Sequence, residues 1–341
     1  MKKVGVWGAS GYTGQELLLL LRQHPLFKVM LAVSDSLAGE VVEGYSELTY
    51  CTQADAHFEG LDLVFLCTPH GASAQLAAEA VAVGAKVVDL SADLRLKTPE
   101  CYQQWYQHTH PAPHLLPAPY GLVELYPEQL TNADYIANPG CYPTSILLPL
   151  LPLAMNGVLQ EQMPIIVDAK SGVSGAGHTP KRETHFVEVF GDLKPYNIGR
   201  VHRHVGEIEQ ELETAMPNVG PLVFSPHLLP IDRGLLSTIY VHLSKPITVA
   251  REILESTYEH EPFVQVLPDG MLARIKHVAR TNKALISLSS ATSDVAVLVC
   301  AIDNLRKGAA SQAIQNANLM FNIPHTTGLT EAMAHGIADS Y

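Results

Sequence analysis

Residues 2–14 read KKVGVWGASGYTG, a short apolar run followed by a loop that contains three glycines. The run has the composition of a β-strand, and the leucines of residues 11–24 recur at helical spacing. Residues 29–34, VMLAVS, return to a strand pattern, so the first forty residues predict a βαβ unit. This unit decides the fold class, because parallel strands joined by helices build a doubly wound sheet.

The remaining pattern divides the chain into two domains. Strand patterns at residues 61–67, 85–91 and 134–138 extend the alternation, so residues 1–140 predict a Rossmann-type doubly wound parallel sheet in the α/β class. Residues 141–303 have proline-rich connections and predict a second, α+β domain for catalysis and oligomerisation, with strand patterns at PIIVDAK, LVFSPHL, LLSTIYVHL and AVLVCAIDN. A last helix pattern covers residues 304–321, and we assign residues 304–341 to the first domain.

The composition excludes several classes of protein. The chain has 341 residues and a formal net charge of −12, which disfavours a non-specific nucleic-acid binder. Its apolar runs are shorter than the ~20 residues that span a bilayer, and the N-terminus resembles a strand rather than a signal peptide. The five cysteines lack CxxC spacing, and the histidines lack zinc-site spacing. We therefore expect a cytoplasmic protein with reduced thiols, no membrane or nucleic-acid partner and no metal.

The glycine loop predicts a dinucleotide site. It follows a strand and precedes a helix with the spacing GxxGxxG, so glycines permit close backbone approach and the helix N-terminus faces the pyrophosphate. The alternative is a tight turn that binds nothing. The residues that we assign to the cofactor here are Gly8, Ser10, Gly11, Tyr12, Thr13 and Gly14.

The end of the second strand leaves the choice of nucleotide open. An acid at this place hydrogen-bonds the ribose of NAD, whereas small hydroxyl residues suit the 2′-phosphate of NADP. Ser34 and Ser36 favour NADP, and Asp35 favours NAD. Asp35 is equally explained as a turn residue that caps the next segment. We assign Ser34 to the cofactor.

Cys141 is the candidate nucleophile. It lies in the segment NPGCYPT, residues 138–144, which follows a predicted strand at the sheet edge where ligands of such folds bind. Residues from Thr144 onward have a helical pattern, and a helix N-terminus favours thiolate. The alternative is a packed thiol.

Residues 200–207, RVHRHVGE, offer a proton-transfer group for this cysteine. In an extended segment, His202 and His204 lie on one face, with Glu207 opening a helix. The spacing does not distinguish between the two histidines. A surface loop explains the same residues.

The loop KSGVSGAG, residues 170–177, follows the strand pattern PIIVDA. Its small residues let backbone amides close over a ligand. We assign Ser171 and Gly172 to the cofactor and Lys170 and Ser174 to the substrate. A flexible loop with turn glycines is the alternative.

Arg95 follows the strand pattern VVDL at the same predicted edge. A guanidinium there can bind a carboxylate or phosphate through two N–H groups, so we assign Arg95 to the substrate. A structural ion pair with Asp93 or Asp89 explains it nearly as well.

Seven motifs together resemble the N-acetyl-gamma-glutamyl-phosphate reductase family, which uses NADPH in arginine biosynthesis. They occur in order over most of residues 5–323 and read GASGYTG, DLSADLRL, NPGCYPT, KSGVSGAG, HRHVGEI, SPHLLPIDRG and DNLRKGAASQAIQNAN. The resemblance implies a Rossmann domain completed by the C-terminal helix and a catalytic domain related to aspartate-semialdehyde and glyceraldehyde-phosphate dehydrogenases. It also implies that Cys141 is the nucleophile and faces the HRH segment. It adds Asn316 to the cofactor set and Asn138 to the substrate set.

The resemblance also implies the reaction and the assembly. Cys141 attacks an acyl phosphate, phosphate departs, and NADPH reduces the thioester to N-acetylglutamate semialdehyde. The expected assembly is a homodimer or homotetramer. A reductase of a homologous acyl phosphate, such as carrier-linked aminoadipyl phosphate, remains an alternative. A non-catalytic dinucleotide-binding regulator and a cofactor-free cysteine hydrolase are alternatives from other classes.

Overall fold

A computed structural model describes residues 1–329. Within them, contacts between residues divide the chain into two compact units. The first unit comprises Met1–Gly140 together with the segment that begins at Ala309, and the second comprises Cys141–Gly308. Residues 330–341, which we predict to belong to the first domain, lie outside the described residues.

The described part of the first unit contains a six-stranded sheet. Its strands are β1 (Lys2–Trp7), β2 (Phe27–Val33), β3 (Tyr50–Cys51), β4 (Leu63–Leu66), β5 (Lys86–Asp89) and β6 (Tyr135–Ala137). The helices of residues 1–140 are α1 (Tyr12–Leu21), α2 (Ser73–Ala82), α3 (Pro99–Tyr106) and α4 (Pro127–Leu130).

All neighbouring strands of this sheet run parallel, in the order β3-β2-β1-β4-β5-β6. The order reverses between β1 and β4, and such a switch point opens a crevice beyond the carboxyl ends of the strands. The central strands are buried on both faces, as their continuous Val, Leu and Phe content requires. The predicted Rossmann-type sheet is confirmed.

The second unit begins with the helix that carries Cys141. Its elements within the described residues are α5 (Cys141–Met155), β7 (Ile165–Gly172), α6 (Phe186–Val189), β8 (Lys194–Pro195), α7 (His204–Ala215), β9 (Leu222–Leu229), β10 (Leu235–His242), α8 (Ile247–Tyr258), β11 (Val264–Val266), β12 (Ala284–Ser290) and β13 (Val295–Ile302).

The strands of the second unit form one mixed sheet in the order β11-β12-β13-β10-β7-β9-β8. Helix α5 packs on one face of it, where the hydroxyls of Ser145 and Ser237 lie 2.6 Å apart. On β7, Val167, Ala169 and Ser171 share this buried face, because side chains alternate along a strand. The α+β architecture that we predicted for this part of the chain is confirmed.

The C-terminal helix differs from its prediction. Instead of one helix over residues 304–321, the chain forms a π-helical turn (Arg306–Ala310) and then helix α9 (Ser311–Met320). Helix α9 contacts α1, α4 and β5 of the first unit. Strand β12 is a second difference: its sequence, ALISLSS, is apolar on only part of its length, and no strand was predicted there.

No helix among residues 1–329 is both long enough and apolar enough to cross a membrane.

Candidate active site

The glycine loop lies at the switch point of the parallel sheet. Gly8 follows β1 with φ +72°, and a Cβ there would lie 2.5 Å from the carbonyl oxygen of Cys67, which follows β4. A Cβ on Gly14 would meet the backbone of Gly8 and would lie 2.8 Å from the Cα of Ala9. Both positions therefore require glycine. The N-cap of α1 is Gly11, which has no side chain to accept hydrogen bonds from the amides of the first turn, as suits an anion site.

The residues at the end of β2 separate into two groups. The hydroxyl of Ser34 donates to that of Ser10 at 2.7 Å and lies 3.2 Å from that of Ser36. The carboxylate of Asp35 accepts from the backbone N–H of Gln53 at 2.7 Å. Asp35 is therefore held as a turn residue, while three serine hydroxyls cluster beside the glycine loop.

Asn316 and Asn138 meet inside the first unit. The amide nitrogen of Asn316 donates to Asn138 Oδ1 at 2.9 Å and to the Gly121 carbonyl at 3.0 Å. Asn316 Oδ1 is buried and has no hydrogen-bond partner among residues 1–329. A buried acceptor without a donor is costly, so this atom fits a cofactor whose amide would donate to it.

Arg95 binds backbone carbonyls. Its Nε donates to Asn138 at 2.8 Å, and its Nη2 donates to Leu90 at 2.8 Å, so it ties the end of β5 to that of β6. Asp93 accepts from the amides of Gly71 and Ala74 at 2.7 and 3.1 Å and thereby caps α2. Arg95 thus has a structural role through backbone groups beside any contact with substrate, and its charge also lowers the pKa of Asp89, against the larger opposite effect of burial.

Cys141 is the first residue of α5. The dipole of this 15-residue helix favours the thiolate there, and the thiol is partly exposed. In contrast, Cys300 is fully buried, and burial raises the pKa of its thiol. Gly308, in the π-helical turn, packs against Cys141: a Cβ on it would lie 2.8 Å from the Cβ of Cys141.

His202 is a neutral, buried acceptor. Its Nδ1 accepts from the backbone N–H of His204 at 3.2 Å, and its side chain is 7 % exposed. Burial, with a smaller contribution from the Arg203 charge, lowers the pKa of His202 to about 4. At neutral pH, the imidazole therefore holds the start of α7 and carries no charge.

His204 begins α7, and this corrects one expectation. We expected an extended segment from His202 to His204, but Arg203 is already helical, with φ −58° and ψ −24°. The two imidazoles nevertheless meet edge to face, with ring centroids 4.8 Å apart. His204 and Glu207 are three residues apart on α7, so they share one face of the helix.

Two tyrosines that were not predicted from the sequence complete this cluster. The ring of Tyr142 packs edge-on against His202, His204 and Phe224, at centroid distances of 5.7, 6.0 and 5.2 Å. Its hydroxyl lies 3.1 Å from that of Tyr196. Burial raises the pKa of both tyrosines, and the charge of a Cys141 thiolate adds to this rise. The position of Tyr142, directly after the cysteine, was the available signal.

The segment that we predicted to be a loop from Lys170 onward begins inside strand β7, so its first residues are divided between the two faces of the mixed sheet. Ser171 lies on the α5 face, hydrogen-bonded to Tyr142. Lys170 lies on the opposite face, where its Nζ is 2.7 Å from a carboxylate oxygen of Asp168. The structure therefore does not bring Lys170 together with Cys141.

Gly172 and Ser174 hold the loop closed. A Cβ on Gly172 would lie 2.8 Å from the Cα of Arg233, so only glycine lets these backbones approach. The hydroxyl of Ser174 accepts from Asn304 Nδ2 at 2.9 Å. Both residues lie at the end of the mixed sheet where β7 ends and β10 begins.

Comparison with protein families matches both units. Residues 3–133 match the model described as "Semialdehyde dehydrogenase, NAD binding domain", and residues 141–304 match "Semialdehyde dehydrogenase, dimerisation domain".

Solved structures share the fold. Aspartate semialdehyde dehydrogenase II of Vibrio cholerae, complexed with ASA, has a TM-score of 0.73 at 18 % identity and covers 94 % of this chain and 98 % of its own. Aspartate semialdehyde dehydrogenase with NADP from Candida albicans has a TM-score of 0.65 at 15 % identity, covering 94 % of this chain and 99 % of its own.

Curated relatives are much closer in sequence. An N-acetyl-gamma-glutamyl-phosphate reductase of Pelotomaculum thermopropionicum is 44 % identical over 96 % of this chain and 97 % of its own. Reductases of the same name from Symbiobacterium thermophilum and Bacillus cereus are 44 % and 41 % identical, covering 97 % and 96 % of this chain and 98 % of each relative. At this identity and coverage, the chain belongs to the N-acetyl-gamma-glutamyl-phosphate reductase family.

Proposed function

We propose that this protein reduces N-acetyl-gamma-glutamyl phosphate to N-acetylglutamate 5-semialdehyde, with NADPH as the reductant and release of phosphate, in arginine biosynthesis. The single observation that carries the chemistry is the partly exposed Cys141 at the N-terminus of α5, followed directly by Tyr142, whose ring packs against His202 and His204. The division of labour that we predicted remains part of this proposal: cofactor binding by residues 1–140 with 304–341, and catalysis by residues 141–303.

Cys141 acts as the nucleophile. Its thiolate attacks the acyl carbon, the bond from this carbon to the phosphate oxygen breaks, and phosphate leaves with the electron pair. A thioester remains on Cys141. The amides of the first turn of α5 stabilise the oxyanion that forms in this attack, since they point beyond the helix N-terminus.

His204 exchanges the proton. Bound NADPH supplies the hydride that reduces the thioester carbonyl. His204 protonates the resulting oxygen and takes the proton back as the C–S bond breaks, which releases the aldehyde and restores the thiolate. Glu207, on the same face of α7, orients His204. His202 is the less suitable acid, because its Nδ1 accepts from a backbone N–H and its pKa is lowered to about 4 by burial.

NADP is the preferred nucleotide in this proposal. The glycine loop would hold the pyrophosphate through Gly8, Ser10, Gly11, Tyr12, Thr13 and Gly14. The hydroxyl of Ser34, with those of Ser10 and Ser36, is available to the 2′-phosphate side, whereas Asp35 is held by the Gln53 amide. Asn316 Oδ1 would accept from the carboxamide of the cofactor, and Ser171 and Gly172 would close over it.

The proposal retains most of the substrate residues that the sequence predicts. Ser174 and Arg95 remain substrate residues in the proposal, and Asn138 acts by holding the segment that leads to Cys141. Lys170 is assigned instead to the outer face of the mixed sheet, where it pairs with Asp168.

We further propose that two copies associate through this outer face. It carries exposed apolar side chains on neighbouring strands, Ile166, Val223 and Tyr240, which pair directly across β7, β9 and β10. Contiguous apolar residues on an exposed sheet face are typical of an interface. The match of residues 141–304 to a dimerisation domain supports a homodimer, or a homotetramer built from it.

The reverse reaction tests the proposal. Purified protein is mixed with N-acetylglutamate 5-semialdehyde and phosphate, and reduction of NADP or NAD is followed by absorbance. We expect phosphate-dependent reduction of NADP and slower reduction of NAD. Reduction that does not need phosphate, or no reduction with either nucleotide, would refute the proposed reaction.

A further inference from the structure

A pair of tyrosine hydroxyls belongs to the aromatic cluster around His202. Those of Tyr142 and Tyr196 are 3.1 Å apart, and the hydroxyl of Tyr142 also lies 3.3 Å from the carbonyl oxygen of His227. Ser171 hydrogen-bonds the same Tyr142 hydroxyl. Tyr142 therefore has its polar end fixed by three groups, which is typical of a buried tyrosine whose ring orientation matters.

The tyrosine rings form the wall around His202. Tyr142 and Tyr196 both meet this imidazole edge-on, at centroid distances of 5.7 and 5.6 Å, and Phe224 closes the third side at 5.2 Å. The titratable and charged groups that face Tyr196 are Cys141 and Tyr142 from α5, and His202 and Arg203 from the segment leading into α7.

The backbone fixes Tyr196 at this place. Strand β8 pairs with β9, with Lys194 opposite Leu228 and Pro195 opposite His227. The next residue, Tyr196, continues the ladder, because its backbone N–H donates to the carbonyl of Pro226 at 3.1 Å. The hydroxyl of Tyr196, which follows edge strand β8, thus reaches the hydroxyl of Tyr142 on α5.

We propose that Tyr196 is a positioning residue of the reaction: its hydroxyl, acting through Tyr142, holds His202 and His204 in the orientation that proton transfer to and from the Cys141 adduct requires. Without this hydroxyl, Tyr142 loses one of the hydrogen bonds that fix its ring. The imidazoles of His202 and His204, which pack against this ring, then become more mobile. Proton transfer depends steeply on the alignment of donor and acceptor, so the chemical step slows while ligand binding is kept. This inference rests on the proposed roles of Cys141 and His204.

Tyr196→Phe removes the hydroxyl and keeps the ring. We expect kcat to fall about tenfold with KM for the semialdehyde and NADP within about twofold of wild type, because only the chemical step is affected. The solvent deuterium isotope effect on kcat should increase, since proton transfer becomes more nearly rate-limiting. A purely structural role would change neither the isotope effect nor the split between kcat and KM.

Tyr258→Phe is the matched control. Tyr258 is a buried tyrosine on α8 that donates to the carbonyl of Leu148, so its variant also loses a buried hydroxyl bond. We expect a lower Tm with wild-type kcat and isotope effect. Wild-type kinetics in Tyr196→Phe, or equal kinetic losses in both variants, would overturn the inference about Tyr196. As long as the wild-type protein turns over, neither result would contradict the proposed function. Absence of turnover in the wild type itself would overturn both.

Discussion

His202 and His204 are two residues apart and have different electrostatic surroundings. His202 is enclosed by Tyr142, Tyr196 and Phe224, and this enclosure excludes water from its ring. Desolvation penalises the charged imidazolium, which is why its pKa is lowered to about 4. The imidazole that organises the helix start is therefore uncharged at neutral pH.

The lowered pKa predicts a pH dependence of stability. Between pH 6.5 and about 4, His202 binds a proton in the unfolded chain but not in the folded protein. The free energy of unfolding therefore decreases as the pH falls through this range. A shift of this size corresponds to about 3 kcal/mol. His202→Asn keeps an acceptor for the His204 N–H but does not titrate.

Urea unfolding of both proteins at closely spaced pH values measures this effect. We expect the free energy of unfolding of the wild type to rise with pH between about 4 and 6.5 relative to that of His202→Asn. Asp89, whose pKa burial raises to about 6, gives an opposite slope that is common to both proteins and cancels in the difference. Parallel curves would show that His202 is not desolvated.

Individual residues were predictable where chemistry depends on sequence position. The place of Cys141 at the start of a helix was predicted from the sequence, because one cysteine follows a late strand and precedes a helical pattern, and its role as nucleophile stays a prediction. Tyr196 was not predicted, because 55 residues separate it from Cys141 in the chain and only the pairing of β8 with β9 brings it close. Asp35 remained ambiguous until its bond to the Gln53 amide was known.

At the scale of elements, the N-terminus of α5 is held by the π-helical turn Arg306–Ala310. Gly308 lies where this turn meets Cys141, so the turn approaches the nucleophile more closely than a side chain would allow. Extra residues in helices are frequent at functional sites, and here the π-helical turn brings a glycine close to the Cβ of Cys141.

Gly308→Ala tests this contact. The added Cβ would lie 2.8 Å from the Cβ of Cys141, so one of the two elements must shift, and we expect kcat to fall about tenfold or more. Gly157→Ala is the control, because Gly157 has φ +60° and a Cβ there would meet no other atom. This variant should lose stability through backbone strain and keep its activity. Steady-state kinetics and thermal unfolding of both variants distinguish the outcomes. Unchanged kcat in Gly308→Ala would contradict the proposed packing constraint.

The element that follows β2 predicts nucleotide preference. Because Asp35 is bound to the Gln53 amide, Asp35→Asn should change the ratio of kcat/KM for NADP and NAD by no more than about twofold. Ser34→Ala removes a hydroxyl of the serine cluster. This variant should lower the ratio several-fold, because it weakens the binding of NADP and not that of NAD. Kinetics with both nucleotides measure the two ratios. A large change in Asp35→Asn with none in Ser34→Ala would reverse the assignment.

Secondary structure was predictable where periodicity is regular. The apolar runs of β1, β4 and β5 and the leucines of α1 were identified directly. The alternation of Lys170 and Ser171 between two faces was readable in the sequence but was not used. We treated the segment as one loop and placed both residues at the active site, Ser171 at the cofactor and Lys170 at the substrate. The early start of α7 was missed because polar, aromatic and charged residues at 202–204 carry no helical periodicity.

At the scale of the whole molecule, the outer face of the mixed sheet predicts the assembly. Val223→Glu places a charge on β9 beside Ile166 of β7, where a partner would bury it without compensation. By light scattering, we expect this variant to be a monomer and the wild type to be a dimer or tetramer. Leu19→Glu, which alters an exposed leucine of α1 in the first unit, is the control and should assemble normally. A Val223→Glu protein of wild-type mass would exclude this face.

The division into two units was predictable because the sequence pattern changes after Cys141. Before this residue, strand patterns alternate with helix patterns; after it, the strand patterns are longer and their connections are rich in proline. The path of the last segment was harder to predict. Its small residues indicated close packing, but Gly308 contacts Cys141 in the second unit and helix α9 packs in the first. The periodicity of apolar residues predicts which residues are buried, but it does not predict the element against which they pack.

Trapping of the covalent intermediate tests whether Cys141 is the nucleophile. The protein is mixed with N-acetyl-gamma-glutamyl phosphate in the absence of NADPH, quenched in acid, and analysed by intact-protein and peptide mass spectrometry. We predict one N-acetylglutamyl group per chain, located on Cys141, with release of one equivalent of phosphate, and no adduct in Cys141→Ala. An adduct on another residue, or steady turnover by Cys141→Ala, would contradict the proposed mechanism.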